Sequence, residues 1–306
     1  MTPTARTVPV PPGLVIAPQL PDLLLPVAVR RGVVGFLRNH PTVAIGGALL
    51  LCLVLIGIFA PYLGTVDPTA LAPAKRTRAP SAAFWFGTDA LGRDIYSRVL
   101  YGTRVSLTVG LSVAALASFA GLTIGLVSGF VRWADGIVMR FMDGLMSIPP
   151  ILLAIALMAL TRGSVGNVIL AITVAEIPRV SRLVRSVVLS LREQPYVDAA
   201  VASGTRTPMI ILRHILPNTM APMLVQATYI CASAMIVESI LSFIGAGTPP
   251  TIPSWGNIMA EGRALWQVKP YIVFFPAAFL SVTVLAVNLV GDGLRDALDP
   301  RMAKGL

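Results

Sequence analysis

Residues 41–63 contain no charged side chain. A helix rises 1.5 Å per residue, so about 23 residues reach roughly 35 Å, enough to cross the hydrocarbon core of a bilayer. Lipid offers no hydrogen bonds, so a backbone that crosses it unaccompanied must be helical. Further apolar stretches follow over about 105–131, 137–160, 165–188, 208–243 and 271–290. The pattern predicts an all-α integral membrane protein with six transmembrane helices. Composition agrees: 55% of residues are hydrophobic and 12% charged, where a soluble domain carries about 25% charged residues.

The net charge is +10. The basic residues flank the apolar stretches, as membrane anchors do. They form no run of five like charges and are not interleaved with aromatic residues, so nucleic acid is not an expected partner and membrane lipid is. With the N-terminal tail in the cytoplasm, the inner segments hold most of the Lys and Arg residues, which predicts both termini inside. Cys52 and Cys231 lie in apolar runs without metal-ligand spacing and read as small buried hydrophobes.

The expected organisation is a Pro-rich cytoplasmic tail (1–40), a first transmembrane helix (41–63), an outer segment (64–104), a core of five helices (105–294) and a cytoplasmic end (295–306). Residues 3–26 contain seven prolines. Proline fixes φ and removes a donor, so this stretch cannot hold a helix, and the tail reads as disordered or surface-lying. In the second apolar stretch Ala117, Gly121, Gly125 and Gly129 recur every four residues, a small-residue stripe on which a neighbouring helix can pack closely. Pro149 and Pro150 fall within the third stretch, Pro217 and Pro222 are expected to break the fifth, and Pro276 lies in the sixth. Asp143 and Asp292 are expected to pair with Arg140 and Arg295, three residues away. Glu238 reads as structural. Glu176 is a candidate pathway residue, with Arg179 as its alternative partner. Gln226 and Asn288 are further candidate pathway residues.

Between the fourth and fifth stretches lies a loop, 190–217. Pro195 suits the first turn of a helix, Tyr196 to Ser203 makes about two turns, and Gly204 suits the left-handed position after a helix end. Thr207 is placed to cap a new helix from Pro208. Two turns are too short to be stable alone. Such an element makes sense when it docks into a partner.

This loop resembles that of importer permeases of the ABC transporter superfamily. Asp198-Ala199-Ala200, Gly204 and Leu216-Pro217 carry the resemblance, with Asp198 where the family usually has Glu. His214-Ile215-Leu216-Pro217-Asn218 is similar to the dipeptide and oligopeptide permeases, so His214 reads as a structural family residue. Gly87-Thr88-Asp89 and Gly92-Arg93-Asp94 resemble the outer segment of their C-type subunit. Ser242-Phe243-Ile244-Gly245, Pro253-Ser254-Trp255-Gly256, Gly291-Asp292-Gly293 and Asp299-Pro300-Arg301 resemble later family segments. The resemblance implies a type I ABC importer permease-like fold and a coupling helix, with Tyr196, Asp198, Ala199, Ala200, Gly204, His214, Leu216 and Pro217 as the ATPase-coupling residues. It implies a homologous second permease subunit as heterodimer partner, two ATP-binding cassette subunits, an extracytoplasmic solute-binding protein, and a di- or oligopeptide as cargo, with nickel or another small solute as the alternative. The expected location is the bacterial cytoplasmic membrane. No phosphate-binding Gly-x-x-x-x-Gly-Lys-Ser/Thr motif occurs in the sequence. No cofactor or metal is expected on this chain; ATP and Mg belong to the partner ATPase subunits. A secondary transporter predicts an inverted repeat with a polar midplane site. A membrane enzyme needs a catalytic cluster; neither feature is evident in the sequence.

Overall fold

The computed structural model describes residues 33–298. The proline-rich part of the tail and the Asp299-Pro300-Arg301 end lie outside the described residues. The described chain is all-helical. In order come α1 (Val33–Asn39), α2 (Pro41–Phe59), α3 (Ile95–Phe130), α4 (Arg132–Met146), α5 (Pro150–Ala159), α6 (Val165–Arg192), α7 (Pro195–Ala202), α8 (Thr207–Ile210), α9 (Leu216–Phe243), α10 (Trp255–Gly262) and α11 (Tyr271–Leu298). Four segments are long and apolar enough to cross a membrane: α2, α3, α8–α9 and α11. The pair α4–α5 makes a fifth if counted as one span. α6 has the length, but Glu176, Arg179, Arg182 and Arg185 make its second half polar. Helix α1 places regular structure in the last part of the tail, beyond the final proline of that region.

Helix α3 is the centre of the bundle and packs against α2, α4, α6, α9, α10 and α11. It begins ten residues before the apolar stretch because Asp94 caps it: the Asp94 carboxylate accepts from the Ser97 N–H at 2.8 Å. Its small-residue stripe packs on α6. Gly121 faces Val180, Gly125 faces Val184, and Gly129 faces Val188. A methyl group at Gly125 would lie 2.5 Å from Val184 Cβ and 2.8 Å from the Ser181 carbonyl oxygen. The paired numbers rise together, so α3 and α6 run parallel. On α2, Gly46 packs on Ala286 and Leu289 of α11, while Gly293 packs on Thr42 and Val43; these numbers run in opposite senses, so α2 and α11 are antiparallel. Lipid tails are as apolar as leucine, so such contacts gain their energy from close van der Waals packing.

The third apolar stretch is not one straight helix. α4 and α5 meet at 86°. Pro149 sits at φ −53°, ψ 131° and Pro150 opens α5; a residue before proline is held out of the helical region, so the helix must stop. The fifth stretch, by contrast, is not broken. A π turn (Ile211–Ile215) joins α8 to α9, and Pro222 is accommodated inside α9. Pro217 has no N–H for the carbonyl four residues back, and the ladder widens before it: Leu216 N–H donates to the Ile211 carbonyl. Thr207 does not cap α8; it is the first helical residue, after Arg206. Asp143 pairs with Arg182 of α6 at 2.5 Å rather than with Arg140, because the long Arg182 side chain reaches across from a neighbouring helix. Among the described residues Asp292 and Arg295 form no ion pair. Cys231 is buried, but Cys52 is exposed on α2, which presents only one face to the bundle.

The end of the bundle where α3 begins is held by a buried ion cluster. Asp89 accepts from Arg93 Nε at 2.7 Å and from Arg98 Nη1 at 2.6 Å. Both guanidinium groups also reach Glu261 on α10. Arg98 and Asp89 are each 1% exposed. Trp255 of α10 is fully buried and donates from Nε1 to the Val99 carbonyl at 3.1 Å. The end of α9 is thereby brought beside the start of α3, so these two helices are antiparallel.

Two outcomes follow from this packing. Gly125→Val should destabilise the protein by about 1–3 kcal/mol through overpacking, read as a lower thermal midpoint of the detergent-solubilised protein. Arg98→Met removes one partner from a buried cluster and should cost about 3–5 kcal/mol. A midpoint within a degree of the unsubstituted protein for either variant contradicts the assigned contact.

Candidate functional site

The loop after α6 folds as a separate short helix. Gln194 precedes α7 in extended conformation, and Pro195 takes the first helical position. Gly204 ends the helix at φ +74°. Its N–H donates to the Val201 carbonyl at 2.9 Å, and the Thr205 N–H donates to the Ala200 carbonyl at 3.1 Å. This reciprocal pair satisfies two carbonyls at the helix end. A Cβ at Gly204 would meet no atom within 4 Å, so the backbone angle, not space, selects glycine there.

α7 is tethered by one buried side chain, Val197, at 2% exposure. Tyr196, Asp198, Ala199, Val201 and Gly204 are exposed, and Ala200 is half-buried. The helix therefore presents small and apolar groups outward. Tyr196 and His214 stand with ring centroids 6.3 Å apart. Asn218 bridges them: its Nδ2 donates to the His214 carbonyl at 2.7 Å and lies 3.5 Å from the Tyr196 hydroxyl. The structure thus gathers Tyr196, His214 and Asn218. Leu216 is half-buried and Pro217 exposed at the start of α9. Beside α7 lies a charged cleft of about 530 Å³ lined by Arg132, Asp135, Arg192, Glu193 and Asp198. Arg192 donates to the Gly129 carbonyl at 3.2 Å and lies over the Phe130 ring, joining the ends of α3 and α6. Arg185 grips Asp135 through both carboxylate oxygens at 2.5 and 2.6 Å, tying α4 to α6.

At the other end, Gly87, Thr88, Asp89, Gly92, Arg93 and Asp94 form one tight turn ahead of α3. Asp89 Oδ1 accepts from the N–H groups of Leu91 and Arg93 at 2.8 and 2.9 Å. Gly92 sits at φ +79°, and a Cβ there would collide with the backbone of Ala72. The Thr88 hydroxyl donates to the Lys75 carbonyl and accepts from the Arg78 N–H. Sequence reasoning missed Glu261. The signal was an excess of charge: with Asp94 used as a cap, Arg93 and Arg98 share a single local carboxylate and need a second.

The three candidate pathway residues do not meet in one cluster. Asn288 is exposed on α11. Gln226 is half-buried on α9, with its Nε2 buried and unpartnered. Glu176 is 3% exposed on α6, and its closest cation is Arg179 Nη1 at 3.4 Å. Arg179 itself lies 5.5 Å over the Tyr229 ring of α9.

Comparison with known proteins gives one answer. A probable peptide ABC transporter permease protein of Sinorhizobium fredii is 53% identical over 270 residues, 88% of this chain and 92% of that protein. The dipeptide transport system permease protein of Alkalihalophilus pseudofirmus is 41% identical over 267 residues, 87% of this chain and 88% of that protein. A chain of the inward facing MetNI methionine ABC transporter matches with a TM-score of 0.56 at 19% identity, covering 66% of this chain and 96% of that chain, a likeness of fold. Residues 121–304 match the family described as binding-protein-dependent transport system inner membrane component, and the chain belongs to that family of bacterial inner-membrane ABC transporter permeases.

Proposed function

We propose that this chain is the C-type permease subunit of an ATP-driven peptide importer, forming half of a pathway with a homologous second permease. Two ATP-binding cassette subunits on the cytoplasmic side supply the ATP and Mg, and an extracytoplasmic solute-binding protein delivers the peptide. The relatives named for peptide and dipeptide transport support the cargo.

Six crossings with both ends inside fit the helix directions. α3 and α6 run parallel, with their C-terminal ends bolted together by Arg192. Chain leaving the end of α3 has to return to the opposite end before α6 begins, so the bent α4–α5 pair serves as a crossing. The first helix and the last are antiparallel, which supports termini on one side.

The observation that carries the coupling role is α7: an eight-residue helix held by one buried valine, with Ala199 exposed and a closed C-terminal turn. Such a helix is too short to persist for its own sake. It suits a groove on a motor subunit. ATP binding there would move α7, and α7 would move α6 and α9 together. Directional uptake requires the peptide to bind the two resulting states with different affinity.

Replacing Gly204 by Val places a β-branched residue at φ +74°, a cost of about 1–2 kcal/mol, and is expected to abolish uptake of labelled dipeptide while ATP hydrolysis by the complex continues. Unchanged uptake contradicts the role of this turn. Cysteine placed at Ala199 should crosslink to a nucleotide-hydrolysing subunit; labelling of that cysteine from outside the cell would reverse the proposed orientation.

A further inference from the structure

Halfway along the bundle, polar groups are left short of partners. The contacts Gly121–Val180 and Gly125–Val184 set the levels of the two parallel helices, so Glu176 lies level with Ala117 of α3, one turn earlier on both. Tyr229 of α9 reaches the same level through Arg179. Here Glu176 Oε2, Thr173 Oγ1 one turn before it and Ser118 Oγ on α3 are all buried without a hydrogen bond. The Ser233 hydroxyl lies alongside the Glu176 carboxylate. Native proteins leave few buried polar atoms unpaired, and each asks for an explanation.

The available cation serves Glu176 poorly. Arg179 offers one contact of 3.4 Å, whereas Arg185 holds Asp135 through two bonds at 2.5 and 2.6 Å. A charge-assisted pair ordinarily closes to about 2.7–2.9 Å. The arginine is divided between the carboxylate below it and the Tyr229 face beside it. Its side chain is 38% exposed, while that of Glu176 is 3% exposed. Arg179 thus stands at the surface over a buried acid that it only half satisfies.

We infer that Glu176 is the subsite for a primary ammonium group of the transported peptide, and that Arg179 is a displaceable stand-in for it. This rests on the peptide reading above and adds the group recognised. A compact ammonium carries three donors. It can approach the carboxylate closely as Arg179 swings away, with the unpartnered Thr173 hydroxyl one turn away. The tyrosine face retains the released guanidinium. Burial makes the exchange selective: a neutral, acylated terminus would leave the carboxylate without a counter-charge, the costly outcome in a membrane.

The test is a mutant cycle in the intact transporter, reading uptake of labelled dialanine and of an N-acetylated alanyl-lysine peptide. Glu176→Gln is expected to raise the half-saturating concentration of dialanine at least tenfold at equal membrane abundance. Arg179→Gln should lower it, because the competitor is gone. The double variant should remain as defective as Glu176→Gln. A purely structural ion pair predicts otherwise: both single variants lose abundance and the double variant recovers it, and that result overturns the inference, as does a Glu176→Gln transporter with unaltered uptake. If Glu176→Gln impairs dialanine alone, the subsite reads the amino terminus; if it impairs both peptides equally, it reads any primary ammonium. An unsubstituted transporter that imports neither peptide refutes the peptide reading itself, and the subsite with it.

Discussion

Everything in this bundle hangs on how closely α3 and α6 approach. Val180, Val184 and Val188 enter the notches left by Gly121, Gly125 and Gly129. In a lipid environment no hydrophobic force drives helices together. Close approach gains dispersion energy and also sets the spacing at which side chains on either helix can reach a third. Arg192 reaches the Gly129 carbonyl because the two long helices lie in contact, and α6 in turn meets α9, where Arg179 lies over the Tyr229 ring. The loop that carries α7 is suspended from the end of this pair.

Polar groups in the chain are handled in two different ways. At the start of α3 Asp89, Arg93, Arg98 and Glu261 neutralise one another, and Asp89 also ties down two backbone N–H groups. Arg98 Nε is left without a hydrogen bond, but the balanced charges fix the segment before α3 onto α10. At mid-height the pairing is incomplete. Balanced, short ion pairs rigidify their surroundings, while the Glu176 carboxylate has a single contact of 3.4 Å. The difference separates a structural anchor from the site proposed for the ammonium group.

Much of this was legible in the sequence, for local reasons. The interval of four between Ala117, Gly121, Gly125 and Gly129 marks a helix stripe, and the helix between Pro195 and Gly204 is bounded by residues with strong backbone preferences. The six apolar stretches all became helix. The bend at Pro149 was harder to read, since a proline pair inside an apolar run describes a kink as readily as a corner. Glu261 pairs with residues more than 160 positions earlier, a separation no local pattern encodes. Helix α10 escaped notice because its start, Ser254, looks like part of a loop until the cap to Asn257 is seen. Gln226 and Asn288 are polar residues within apolar runs. Only the packing tells that one is partly enclosed and the other faces outward.

The π turn before Pro217 has a geometric consequence of its own. Buried positions along α8–α9 run Ile210, Ile215, Thr219, Met223: the first step is five residues and the next two are four. One additional residue absorbed in the wider turn shifts the phase of all that follows by about 100° relative to an unbroken α-helix. Without that shift, α8 and the long apolar shaft of α9 could not both turn their inward sides to the same neighbours. The widened turn acts as a phase shifter, letting one continuous rod satisfy two differently angled seats.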